Sequence, residues 1–204
     1  MTFQARHAVA SDVDAIVDTV TAAFFDDPLW GPLFPDRALR AAQASQLWRR
    51  FVTSAAGRYP WTFVTGAVDA ATVDAAAVWV PPGGTELTAD EIAGYDEFLA
   101  GFATRAVADE IKAVGEVFDD AHPTEPHFYL SLLATNPDAR GSGFGMDLVR
   151  DGLARIDALG MPAYLESSNP AANDSRYRSV GFEAIDELVM PSGHRVTTMW
   201  RPAR

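Results

Sequence analysis

The chain has 204 residues, of which 48% are hydrophobic and 22% are charged. That is enough apolar material for one globular domain with its own core, so we expect a single domain over residues 1–204. The formal net charge of −12 argues against nucleic acid as a partner, because an acidic surface repels phosphate backbones. There is no cysteine, which excludes a disulfide framework, a thiolate metal site and a thiol nucleophile.

Targeting segments and metal sites are not indicated. The first residues lack a basic start followed by an apolar run, and no uncharged apolar stretch approaches the roughly 20 residues that a bilayer requires. The sequence therefore predicts no signal peptide, no membrane association and a cytoplasmic location. His7, His122 and His194 have no acidic or histidine partners at ligand spacing, so we predict no bound metal.

The first half of the chain predicts a strand, two helices, further strands and then more helix. Ser11 or Asp12 would cap the first helix. The apolar spacing predicts a helix at residues 11–25, a helix at 37–57, strands at 61–65 and 73–80, and two helical pieces within 88–120.

The second half alternates strands with helices. It predicts a strand at Phe128–Thr135, a loop at 137–142, a helix at 143–159, a strand at 163–166, a short helix at 173–179, and strands at 182–190 and 194–200 around a turn at 191–193. This order predicts an α/β fold with a mixed sheet. Regular alternation along the first of these strands would place Tyr129, Ser131 and Leu133 on one face.

A glycine-rich segment, Arg140-Gly141-Ser142-Gly143-Phe144-Gly145, leaves a predicted strand and opens a predicted helix. Free backbone N–H groups and the positive helix end converge there, and glycines let a phosphate approach the backbone. A flexible strand–helix turn would have the same composition. Two nucleotide motifs are excluded by the spelling. The phosphate-binding loop of nucleoside triphosphatases requires Gly-Lys-Ser/Thr, but here Gly145 is followed by Met146. The dinucleotide-binding motif G-x-G-x-x-G requires a final glycine, which would fall on Met146 if the motif began at Gly141 and on Leu148 if it began at Gly143.

The segment matches the Arg/Gln-x-x-Gly-x-Gly/Ala signature of the GNAT acetyltransferases through Arg140, Gly143 and Gly145. Residues 133–137 resemble the strand that leads into this loop in the family, residues 164–168 resemble its fifth strand, and residues 177–182 resemble its Tyr-x-x-x-Gly-Phe element. The overall spacing is similar to the puromycin N-acetyltransferase branch. The resemblance covers nearly the whole chain and is most specific from about residue 125 onward.

The resemblance implies a GNAT fold, with a mixed central sheet of about six to seven strands, splayed strands four and five, and flanking α-helices. It also implies acetyl-CoA as co-substrate, with the pantetheine arm between the splayed strands. The implied cofactor residues are Leu133, Ala134 and Thr135 for the arm, and Arg140, Gly141, Ser142, Gly143, Phe144 and Gly145 for the pyrophosphate. Arg140 is either a phosphate contact or a solvated loop residue. Asn173 either lies near the pantetheine or caps a helix.

The resemblance also suggests catalytic roles. Tyr177 occupies the position of the family's general-acid tyrosine, although a tyrosine packed on the last helix would look the same in sequence. Glu166, at the end of the fifth strand, is the first candidate for the general base, with a structural or substrate-positioning role as the alternative. Acceptor selection is implied for the N-terminal helices, whose aromatic residues either enclose the amine or form core: Phe24, Phe25, Trp30, Phe34 and Trp48, with Asp26 and Asp27 among them.

On this interpretation the protein is an acetyl-CoA-dependent N-acetyltransferase that acts on the primary amine of a small molecule, as a monomer or homodimer. Two alternatives stay open. One is a non-catalytic domain that binds acetyl-CoA, and the other is a protein or peptide N-acetyltransferase, which would require an open groove for its substrate.

Overall fold

The computed structural model describes residues 5–66 and 72–204, which form a seven-stranded sheet covered by helices. The start of the chain, to which the prediction of no signal peptide refers, lies partly outside these ranges. The strands are β1 (Ala5–His7), β2 (Thr62–Thr65), β3 (Ala75–Val80), β4 (Phe128–Thr135), β5 (Ala163–Ser167), β6 (Glu183–Val189) and β7 (Arg195–Arg201). The helices are α1 (Val13–Phe24), α2 (Trp30–Leu33), α3 (Arg40–Arg58), α4 (Ala89–Ala93), α5 (Tyr95–Ala100), α6 (Arg105–Ala121), α7 (Phe144–Asp157) and α8 (Pro170–Arg178).

The strands are ordered β1-β2-β3-β4-β5-β7-β6 across the sheet. Every neighbouring pair is antiparallel except β4 and β5, which are parallel. The predicted mixed sheet with flanking helices is therefore confirmed. In the described part of the chain, no helix has both the length and the apolar character needed to cross a bilayer.

Two hydrophobic cores lie against the sheet. The first core packs α1, α3 and α6 against the strands through residues such as Ile16, Trp48 and Leu132. The second core packs α7 and α8 against the strands through residues such as Leu148 and Tyr177. The two cores lie on opposite faces of the sheet and use different helices. The core in which a strand residue packs therefore shows which face its side chain occupies.

Two predicted helical regions differ from the structure. Residues 88–120 contain three helices, not two, since glycines interrupt the region at Gly94 and Gly101 and the Thr104 side chain then caps α6. The short helix predicted at 173–179 begins earlier, at Pro170. The Asn169 side chain accepts a hydrogen bond from the Ala172 N–H at 3.3 Å and caps it.

Candidate active site

Strands β4 and β5 lie side by side at one end only. Among the described residues, Phe128 pairs with Ala163 and Tyr129 with Tyr164, and no further pair follows although β4 continues to Thr135. On its other side β4 pairs with β3 along nearly its whole length. A gap therefore widens toward the end of β4, where its backbone groups on that side have no strand partner. The predicted splay of strands four and five is confirmed.

A β-bulge interrupts the pairing of β4 with β3. The consecutive β3 residues Val78 and Trp79 pair with Leu132 and Leu130, which leaves Ser131 as an extra residue. A bulge bends its strand and re-aims the side chains next to it. It lies in the part of β4 that borders the widening gap.

The bulge reverses the alternation of side chains along β4. Leu133 packs against the second core. The Tyr129 ring instead lies 4.9 Å from the ring of His122, which follows the first-core helix α6. The prediction that Leu133 shares a face with Tyr129 and Ser131 is therefore wrong, because it assumed a regular strand.

The glycine-rich loop connects the end of β4 to the start of α7. Gly141 and Gly143 have φ angles of +84° and +87°, a left-handed conformation that favours glycine. A Cβ atom at Gly145 would lie 2.5 Å from Thr135 Oγ1, so the absence of a side chain lets α7 begin directly against β4. The loop thereby presents a helix N-terminus, which attracts negative charge, at the open end of the gap.

Glu166 lies on β5 just beyond the segment that pairs with β4. Its side chain is 5% exposed, and its Oε1 atom is buried with no hydrogen-bond partner in the described residues. Burial raises the pKa of the Glu166 carboxyl to about 8, and the neighbouring phenols of Tyr129 and Tyr164 offset part of the rise. A carboxyl that titrates near neutral pH is suited to proton transfer.

Glu86 brings a second enclosed carboxyl to the same face, from the loop between β3 and α4. The Ser131 hydroxyl donates a hydrogen bond to Glu86 Oε1. Burial raises the pKa of Glu86 to about 7, and the charge of Asp119 adds to the rise. Glu86 in turn raises the pKa of Glu166 through its charge, so the two carboxyls lie within electrostatic reach of each other.

His122 lies next to Glu166 and contacts a second histidine, His127. The His122 Nε2 atom is 3.1 Å from His127 Nε2, and its Nδ1 atom is 3.9 Å from Glu166 Oε1. Burial, with the charge of His127 adding to it, lowers the pKa of His122 to about 4 and keeps the ring neutral at pH 7. The two contacts use opposite nitrogens of the His122 ring, unlike ligands around one metal ion. The sequence predicted no partner for His122 at ligand spacing, and the partners that it has in the structure come from other segments.

Tyr177 lies on α8 and packs in the second core, with its ring 6.2 Å from that of Phe182. Burial raises its pKa, so the phenol keeps its proton at neutral pH. The neighbouring β5 residue Leu165 also belongs to the second core, whereas Glu166 faces the other side of the sheet. The two predicted catalytic residues therefore lie on opposite sides of the sheet.

Solved structures with this architecture match the chain over its whole length. A Corynebacterium glutamicum protein, described as histone acetyltransferase HPA2 and related acetyltransferase, has a TM-score of 0.71 at 23% identity, covering 100% of this chain and 98% of that one. Arylalkylamine N-acetyltransferase 2 from Aedes aegypti has a TM-score of 0.62 at 13% identity, covering 100% of both chains. A NatC complex bound to a Gag peptide and CoA has a TM-score of 0.58 at 12% identity, also covering 100% of both.

The chain has the GNAT fold. No protein-family model matches the sequence. Within the GNAT fold, the last β4 residues Leu133, Ala134 and Thr135 border the gap, and residues 140–145 form the loop at its open end. The predicted arm-binding and pyrophosphate-binding residues are thus brought to one end of the sheet.

Three predicted cofactor residues have specific contacts or positions in this GNAT fold. Arg140 is exposed, and its Nη2 atom donates to the Ala23 carbonyl oxygen at 3.3 Å. The Ser142 hydroxyl donates to the Ala139 carbonyl oxygen at 2.6 Å. Asn173 lies inside α8, so the alternative that it caps this helix is wrong.

Four of the five aromatic residues predicted near the acceptor, Phe24, Trp30, Phe34 and Trp48, pack in the first core of this GNAT fold. The fifth, Phe25, lies outside both cores, with the guanidinium groups of Arg37 and Arg40 over its ring. Phe34 and Trp48 are 1% and 2% exposed. The Trp30 ring lies 6.5 Å from the ring of Phe24 and 5.0 Å from that of Trp48. Of the two interpretations that the sequence left open for this cluster, the structure supports core packing.

Neither Glu86 nor the partners of His122 could be identified from the sequence. Glu86 follows the Pro81–Gly84 turn and has no motif around it, and the residues that enclose it are distant in the chain. The one signal for Glu86 in the sequence is an acidic residue that follows a turn after a buried strand. That arrangement is too common to identify a site.

Proposed function

We propose that residues 1–204 form a single domain that transfers the acetyl group of acetyl-CoA to the primary amine of a small molecule. One observation carries the proposal. The buried carboxyl of Glu166, whose Oε1 atom has no hydrogen-bond partner among the described residues, lies beside the gap between β4 and β5, and the glycine loop lies at the open end of that gap. An enclosed base, an unpaired strand edge and an anion-binding helix end are the parts that acetyl transfer to an amine requires.

The residues at the gap fit acetyl-CoA. The free edge of β4 at Leu133, Ala134 and Thr135 can pair with the amides of a pantetheine arm as a strand would. Ser167 Oγ, near the end of β5, is buried without a hydrogen-bond partner in the part of the chain that the structure describes. When bound, acetyl-CoA supplies the acetyl group as an activated thioester. Residues 140–145 and Asn173 complete the proposed cofactor site.

Glu166 and Tyr177 act on opposite ends of the transfer in this proposal. Glu166 accepts a proton from the amine as the new N–C bond forms. The C–S bond breaks, and the Tyr177 hydroxyl gives a proton to the departing sulfur. Because Glu166 must be ionised to act as a base, the rate should rise with pH through about 8.

Charge favours a cationic small molecule as acceptor. The net charge of −12 attracts an ammonium group, and the enclosed carboxyls Glu86 and Glu166 do so when they are ionised. The Aedes aegypti protein of the same fold is described as an arylalkylamine N-acetyltransferase. We further propose a cytoplasmic monomer or homodimer, without nucleic-acid or membrane partners, and a place in the puromycin N-acetyltransferase-like branch.

Calorimetric titration with acetyl-CoA tests the cofactor site. We expect binding at one molecule per chain, weakened about 10-fold or more by Gly143→Val. Gly193→Val is the matched control, because Gly193 has a φ of +83° against +87° at Gly143 but lies in the β6–β7 turn. A folded protein that does not bind acetyl-CoA, or equal loss in both variants, would contradict the cofactor site.

An amine panel then tests the reaction. Release of free thiol from acetyl-CoA can be followed directly, since the protein has no cysteine. Turnover with small amines and none with peptides is the expected result. Turnover restricted to peptides would favour the peptide acceptor seen in the NatC complex. Acetyl-CoA binding without any turnover would favour the non-catalytic alternative.

A further inference from the structure

Glu86 is fixed in position from two sides. The Arg58 guanidinium donates to the carbonyl oxygens of Thr85 and Glu86, each at 2.7 Å, and so holds the backbone of the loop. The Glu86 carboxyl then accepts a hydrogen bond from Ser131, the bulge residue of β4. The loop thereby directs this carboxyl onto the sheet instead of into solvent.

No arginine or lysine neutralises this carboxyl in the part of the chain that the structure describes. The nearby charged group is another acid, Asp119 near the end of α6. Glu166 also lacks a cationic partner, since His122 beside it is neutral. Two enclosed carboxyls of this kind destabilise each other when ionised, and a bound cation removes that cost.

Unpartnered polar atoms on the same face indicate a ligand. Tyr164 Oη and Glu166 Oε1 are buried without a hydrogen-bond partner within residues 5–66 and 72–204. The Tyr129 phenol has a raised pKa because of its burial and of the charges of Glu166 and Glu86, so it is within reach of both carboxyls. A purely structural role at position 86 requires only an acceptor for Ser131, which glutamine would supply without a charge.

We propose that Glu86 binds a second cationic group on the acceptor, so that the protein prefers a linear diamine to a monoamine of the same length. The inference rests on the proposed function. Glu166 receives the amine that is acetylated, and Glu86 binds the ammonium group at the other end of the molecule. Acidic residues at the end of α6 continue the negative charge outward from Glu86: Glu116, Asp119 and Asp120. A dication is therefore attracted along this path.

Binding of matched amines tests the inference without turnover. Putrescine and cadaverine are titrated into the protein–CoA complex beside butylamine and pentylamine, which lack the second ammonium group. A charge-assisted contact in an enclosed site should give each diamine about 10-fold or more higher affinity than its matched monoamine. Glu86→Gln should reduce this preference to about twofold or less, whereas Glu183→Gln, an exposed acid on β6, should retain it.

A second variant covers the case in which Glu86→Gln fails to fold. Glu86→Asp keeps the charge but withdraws it by one methylene, so the variant should shift its preference toward a longer diamine than the wild type prefers. A diamine preference that survives Glu86→Gln, or equal affinity of diamines and monoamines for the wild type, would overturn the inference.

Thiol release separates this inference from the proposed function. If diamines bind with a Glu86-dependent preference but no thiol is released, the diamine site stands and acetyl transfer does not. If thiol is released equally well with monoamines and diamines, acetyl transfer stands and the role of Glu86 is wrong.

Discussion

Replacing Glu166 with glutamine removes a carboxyl whose ionisation destabilises the folded protein. Burial raises the pKa of this carboxyl from 4.5 to about 8, a difference of about 3.5 units. At 1.36 kcal/mol per unit this corresponds to as much as about 5 kcal/mol. Because the pKa is higher in the folded than in the unfolded state, the folded protein binds the Glu166 proton more tightly. This contribution to the free energy of unfolding is fully present below about pH 4.5 and is lost as the pH rises to about 8.

We therefore expect wild type and Glu166→Gln to have similar free energies of unfolding at pH 5. At pH 9 the variant should be more stable, by as much as about 5 kcal/mol. The free energy of unfolding of the variant should still fall with pH, but less steeply, because Glu86 remains. The raised pKa of Glu86, about 7, corresponds to a loss of about 3 kcal/mol over this range.

Urea unfolding across this pH range, followed by fluorescence of the buried Trp48 and Trp79, measures the effect. The exposed Glu183→Gln variant should follow the wild type at every pH. If the free energies of unfolding of wild type and Glu166→Gln differ by the same amount at every pH from 5 to 9, the conclusion that the Glu166 carboxyl is buried without a compensating charge is wrong.

Three further variants test other parts of the structure. Tyr177→Phe should lower kcat by about 100-fold while calorimetry shows unchanged acetyl-CoA affinity, and an unchanged kcat would leave only a packing role. Gly145→Ala should destabilise the protein by about 1–3 kcal/mol in urea unfolding, and Thr135→Ala in the same chain should restore part of this by removing the 2.5 Å contact. Asp157→Asn should cost about 3 kcal/mol, because it breaks the two-pronged pair with buried Arg201 at 2.6 and 2.8 Å. Arg201 lowers the pKa of Asp157, so the wild type should lose this stabilisation as the pH falls through that lowered pKa; equal thermal midpoints of wild type and variant at pH 7 would contradict it.

Features that are contiguous in the sequence were predictable. The strand at Phe128–Thr135 has the predicted bounds because an apolar run of strand length is ended by Asn136-Pro137. The glycine loop and the helix after it were predictable for the same reason, since one short segment contains the strand end, the left-handed glycines and the helix start. These local signals were sufficient to predict an α/β fold with a mixed sheet, whereas the GNAT fold with its splayed strands was implied by the family resemblance.

The group of acids formed by Glu86, Asp119 and Glu166 was not predictable, because these residues come from three different segments of the chain. Glu86 and Ser131 are 45 residues apart and meet only because the loop after β3 folds back on β4. The bulge at Ser131 adds one residue to a strand whose composition gives no sign of it, and so the side-chain alternation was predicted wrongly. His122 gained its partners in the same way, from the entrance of β4 and from β5.

The two-pair junction between β4 and β5 gives this sheet an edge in its interior. An exposed edge strand is an aggregation hazard, because it offers unpaired N–H and C=O groups to any other chain. Here the free groups of β4 face β5 across the gap instead of lying at the outer edge of the sheet. The unpaired edge is thus placed inside the sheet, where it is less open to neighbouring proteins than a terminal strand would be.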